Sequence, residues 1–189
     1  MKKEFTLTDE WLAYELRPDM PFEGMLMSKL FPGADLKKRY ESLTQAGSPY
    51  GVAFSALSRA SNSHIALEAS EYARAQGHFH SFHNRVFRAY FVDTRDIGDV
   101  ELILELARQE GLDSDDLRQS LKEKRFAKVL EEAKQQARRW QVTAVPTFII
   151  DDKYRIVGAQ PIDVFREKFR TIQSECRREP GEQISCHKA

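Results

Sequence analysis

Gln141-Val142-Thr143-Ala144-Val145-Pro146-Thr147-Phe148-Ile149-Ile150 follows a helix-like segment and ends in a β-rich string. Proline has no backbone donor, so it is tolerated at the first residue of a strand and not in its middle. Pro146 therefore marks where a strand begins. A second apolar run, Tyr154-Arg155-Ile156-Val157, comes after Asp151-Asp152-Lys153. Two such runs joined by a few polar residues predict a hairpin. Gly158-Ala159-Gln160-Pro161 comes next, with Pro161 placed to open a final helix.

Upstream of this stretch the pattern is helical. Phe126, Leu130, Ala133, Ala137 and Trp140 fall on one stripe at 3.6-residue spacing and lead into the Pro146 strand. Asp113 is placed to cap the helix before it, with Asp115 and Asp116 in the first turn, where carboxylates favour the dipole. Asp99 caps another, whose inward residues are Leu102, Ile103, Leu106 and Ala107 and whose stop is Gly111. Phe79, Phe82, Val86, Phe87 and Tyr90 mark a helix. Ile65, Ala66, Ala69 and Ala73 form the apolar face of one capped by Asn62. Residues 36–45 predict a short helix, and residues 11–16 a strand leading to Pro18, Pro21 and Gly24.

This order of motifs resembles the DsbA family of thiol–disulfide oxidoreductases, in its FrnE-like branch. The resemblance rests on the Val145-Pro146 strand and its hairpin and on Leu16-Arg17-Pro18-Asp19-Met20-Pro21 with Glu23-Gly24. Asn62-Ser63-His64, Phe87-Arg88-Ala89-Tyr90-Phe91 and Asp96-Ile97-Gly98-Asp99 extend it through the helical stretch. It implies an α/β, thioredoxin-like fold with an inserted all-helical domain. Residues 1–34 and 127–176 are expected to form the discontinuous thioredoxin-like domain, 35–126 the helical insert and 177–189 a polar tail. The resemblance also implies a cis Val145-Pro146 bond, with Val145, Pro146 and Thr147 holding a peptide or protein thiol or disulfide substrate by main-chain pairing.

The family carries a redox Cys-x-x-Cys on its first helix. The only cysteines here are Cys176 and Cys186. A strand-helix-strand unit takes roughly 30 or more residues, more than precede residue 11. The expectation is a fold incomplete at its N-terminus, from a fragment or a degenerate paralogue, and catalysis by this chain alone is doubtful. The strand edges so exposed would pair with a second copy in a homodimer or with a missing N-terminal fragment, or poorly with residues 3–7.

Cys176 and Cys186 are the chain's candidate catalytic thiols. A helix C-terminus does not favour a thiolate, while nearby Arg177, Arg178 and His187 push modestly the other way. A flexible tail could join them as a redox pair. Two ordinary thiols is the simpler reading. His78, His80 and His83 do not converge as zinc ligands must, since His80 and His83 share a helix face that His78 does not. Asp151 and Asp152 read as a hairpin turn rather than as an acid or base.

Lys plus Arg and Asp plus Glu are both 29, for a net charge of zero, and hydrophobic residues are 41% of the chain. The balance gives no support for nucleic-acid or anionic-membrane binding, and the apolar content suits a sizeable core. Met1-Lys2-Lys3-Glu4-Phe5-Thr6 has no apolar run behind it, so the expected compartment is the cytoplasm. Two other functions remain open. One is a relative of the kappa-class glutathione transferases and 2-hydroxychromene-2-carboxylate isomerases, which bind glutathione; Val157-Gly158-Ala159-Gln160-Pro161 departs from their usual motif. The other is a non-enzymatic binding or dimerisation module. No cofactor is otherwise expected.

Overall fold

The structure is a computed structural model that describes residues 4–176. The chain forms two compact units: one gathers its two ends, through Leu12 and from Gln136 onward, and the other is Ala13–Gln135.

In the second unit a short antiparallel pair, β1 (Met25–Leu26) with β2 (Arg59–Ala60), brackets the helices α1 (Met27–Leu30) and α2 (Leu36–Gly47) and a 3-10 turn at Ser48–Tyr50. Gly24 is forced at the entry to β1. Its φ is +71°, and a Cβ there would stand 2.2 Å from the Ala60 carbonyl oxygen. Met27, Tyr40 and Leu57 form a small core beside the pair.

The main core lies among α3 (His64–Ala75), α4 (Phe79–Phe91), α5 (Val100–Gln109) and α6 (Ser114–Glu123), and α7 (Ala127–Arg139) follows. The α3 helix touches the other three of the core. Its Ala66, Ala69 and Ala73 carry no bulk, which lets Phe82, Ile103, Leu104 and Leu117 pack fully buried around it. The helix starts are set locally. Asp99 accepts from the Glu101 amide at 2.9 Å, and Asp113 accepts from the amides of Asp115 and Asp116 at 2.9 and 3.0 Å. Asn62 Oδ1 accepts from the His64 amide at 2.9 Å and so ties down the first turn of α3.

In the first unit β3 (Thr147–Ile150) pairs antiparallel with β4 (Tyr154–Val157), Phe148 opposite Ile156 and Ile150 opposite Tyr154. Asp151 and Asp152 both take φ of +50°, and the Lys153 amide closes the turn onto the Ile150 carbonyl at 3.2 Å. Asp is among the few non-glycine residues that adopt this left-handed region readily. One face of the hairpin packs on α8 (Ile162–Cys176), where Ile150, Ile156, Phe169 and Ile172 bury together with Phe5. Phe5 meets Phe169 at 5.3 Å between ring centroids, and the Arg166 guanidinium grips the Glu4 carboxylate.

Two expectations from the sequence need revision or relocation. Residues 11–16 form no strand: Trp11, Leu12 and Leu16 are exposed, and Glu15 is committed to His64. A short apolar run makes a strand only where a neighbour supplies a ladder, and none flanks this stretch among the described residues. The compact units also divide at Leu12/Ala13 and inside α7 at Gln135/Gln136, against the expected 34/35 and 126/127. Residues 25–30 go with the helices because β1 pairs with β2 and Met27 packs on Tyr40 and Leu57.

A candidate peptide-binding strand entry

The site is built by the turn out of α7 and the start of β3. Gln141 takes φ of +51°. Its amide donates to the Arg138 carbonyl at 3.0 Å, and the Val142 amide donates to Ala137 at 2.9 Å. This is the paired C-terminal hydrogen bonding of a Schellman motif, which reverses the chain. Arg155, reaching across from β4, donates to the carbonyls of Trp140 and Gln141 at 3.0 and 3.4 Å. The turn is therefore tied to the sheet.

Beyond it, the Thr147 hydroxyl donates to the Ala144 carbonyl at 2.7 Å, and the Gly158 amide donates to the Pro146 carbonyl at 2.7 Å. The Val145–Pro146 peptide bond is cis. Ala144 and Pro146 thus have their carbonyls engaged on either side of Val145. The N–H and C=O of Val145 itself make no hydrogen bond among the described residues, and the residue is 48% exposed. A strand entry with an open donor and acceptor on one residue offers the start of a ladder to an extended peptide. The outer edge of β3 is likewise unpaired among the described residues, since its sheet has two strands only.

The structure brings Val145, Pro146 and Thr147 together as one segment. Cys176 closes α8, and Cys186 lies outside the described residues. His83 is stacked between Phe79 and Phe87, with centroids 5.4 and 4.2 Å away, and burial pushes its imidazole below the ordinary value. Asp151 and Asp152 are hairpin-turn residues. Sequence reasoning missed Arg155. A charged residue in mid-strand opposite an apolar run was the available signal for a side chain that bonds outside its own ladder. No helix among the described residues is long and apolar enough to cross a membrane.

Comparison with known proteins agrees with this architecture. A family model described as the DSBA-like thioredoxin domain matches residues 8–170. The chain is 32% identical over 172 residues to the uncharacterized protein YwbO of Bacillus subtilis, covering 88% of this chain and 82% of that protein. A crystal structure of a probable DsbA oxidoreductase from Streptomyces coelicolor superposes with a TM-score of 0.79 at 23% identity, over 93% of this chain and 78% of that one. That likeness concerns the fold, which the family model describes as thioredoxin-like. With the family match spanning nearly all described residues, the chain belongs to the DSBA-like thioredoxin domain family.

Proposed function

We propose that the chain holds an extended, cysteine-bearing peptide at Val145-Pro146-Thr147, as the substrate-binding part of a protein thiol–disulfide oxidoreductase of the FrnE-like branch. The observation that carries this is the open main chain of Val145, flanked by two engaged carbonyls and half exposed. In the reaction a thiolate attacks one sulfur of a substrate disulfide, and the other sulfur leaves as a thiolate. A second thiolate then resolves the mixed disulfide, so one disulfide is exchanged for another. Neither Cys176 nor Cys186 belongs to a Cys-x-x-Cys. The attacking sulfur comes from one of these two, in the same or a second copy of the chain, or from a different partner polypeptide paired at the β3 edge.

Fluorescence anisotropy with fluorescein-labelled, S-carboxymethylated insulin B chain tests the reading apart from any chemistry. Binding is expected, and Val145→Pro, which removes the amide donor, should weaken it about fivefold, the worth of one main-chain hydrogen bond near 1 kcal/mol. No binding of the B chain refutes the proposal. Thermal stabilisation by glutathione without B-chain binding favours the glutathione-binding alternative instead. Dithiothreitol-driven insulin reduction above background, lost in Cys176→Ser with Cys186→Ser, assigns the sulfur to this chain.

A further inference from the structure

Three titratable side chains meet at the start of α3, in the unit that does not carry Val145. The His64 Nδ1 lies 2.7 Å from Glu15 Oε1, and its Nε2 lies 3.9 Å from Glu68 Oε1, one helical turn on. Glu68 is only 3% exposed, and its Oε1 is a buried oxygen with no hydrogen-bond partner among the described residues. Such an orphan costs its full desolvation unless a donor reaches it. Neutral imidazole has one N–H and imidazolium has two, so while both carboxylates are ionised only the imidazolium can donate to Glu15 and Glu68 at once. The His64 side chain is 43% exposed, and water can deliver and remove the proton.

We infer that Glu15, His64 and Glu68 form a proton-operated clasp that fastens residues 13–19 to the first turn of α3. With the proton on, Nδ1–H donates to Glu15 and Nε2–H closes on Glu68. With it off, one carboxylate loses its donor, and because Glu68 is the buried one its charge is left uncompensated. The surrounding charges act in both directions. Burial raises the Glu68 carboxyl above its ordinary value, Glu15 adds to this, and His64 and Lys124, the residue that ends α6, lower it. The downstream part of the segment is held by bonds that do not titrate in this range. Asn62 donates to the Met20 carbonyl at 2.7 Å, and Arg59 donates to those of Glu23 and Gly24 at 2.8 and 3.2 Å. The clasp therefore governs the upstream end, where the chain enters the helical unit.

NMR on the full chain reads this across about pH 5 to 8, the range in which imidazoles change charge. The amides of residues 14–16 and 65–68 are expected to shift in one step that coincides with the His64 ring resonances. The heteronuclear NOE of residues 14–16 should fall on the alkaline side. His64→Gln should remove the step, Glu68→Gln should remove the NOE change, and Lys124→Met should keep both. Residues 14–16 that do not titrate with the His64 ring overturn the inference in the wild-type chain alone, with no variant needed. A step that survives in His64→Gln, or disappears in Lys124→Met, overturns it as well.

Discussion

Replacing Gln141 by glycine should stabilise the unit that carries Val145-Pro146. Gln141 sits at φ +51°, inside the hydrogen-bonded turn that ends α7. The left-handed region costs an L-residue about 1 to 2 kcal/mol, and glycine pays none of it. Glycine in turn loses more chain entropy on folding, by roughly 0.5 to 1 kcal/mol. The difference leaves a gain of about 0.5 to 1 kcal/mol, or two- to fivefold in the unfolding equilibrium. Both tryptophans, Trp11 and Trp140, lie in this unit. Tryptophan fluorescence in a urea titration therefore reports its unfolding selectively, and the midpoint should rise with the slope unchanged. Gln141→Ala is the control, because alanine meets the same steric penalty and should match wild type. A glycine variant no more stable than the alanine variant would refute the turn geometry on which the placement of Val145 depends.

Three further outcomes follow from the helical unit. Phe82 is completely buried against α3, and Phe82→Ala should cost about 3 to 5 kcal/mol; thermal melting followed at 222 nm checks this, and a melting temperature near that of wild type would exclude Phe82 from the core. Tyr72 donates to Asp116 at 2.9 Å, and burial first, then that bond, push its phenol up to about 12. A raised phenol contributes stability that is complete below its ordinary range near pH 10 and is lost as the pH climbs through the raised value. Absorbance at 295 nm should show one late-titrating tyrosine that is missing in Tyr72→Phe. Asp116 behaves oppositely: Arg125, then Tyr72, hold its carboxyl below the ordinary range. Its contribution is complete above that range and lost as the pH falls through the lowered value, so Asp116→Asn should flatten the acid limb of the melting profile.

Where a feature depends on residues close in sequence, it was legible. Asp99 and Asp113 cap their helices through amides two and three residues on, and the Asp151-Asp152 turn joins adjacent strands. The strand start directly after Pro146 was legible for the same reason, as proline cannot sit inside a ladder. The misread stretch at residues 11–16 is a short, mostly apolar run of the kind a buried strand shows. Its fate depended on residues far away: Glu15 finds His64 across 49 positions. The grip of Arg155 on the end of α7 is equally non-local, since it needs the hairpin already formed and set beside that turn.

By itself, then, the order of residues determined the helices and their starts, the hairpin, the proline at its entry and the family to which they add up. These are consequences of short-range hydrogen bonding and of periodic apolar burial. Only the tertiary structure decided that Val145 keeps its main chain open while its neighbours are engaged, and that Glu68 is buried with one oxygen facing His64. A hydrogen bond is made or left unmade by distances of a few tenths of an ångström, and for residues distant in sequence those distances exist only once the cores have packed.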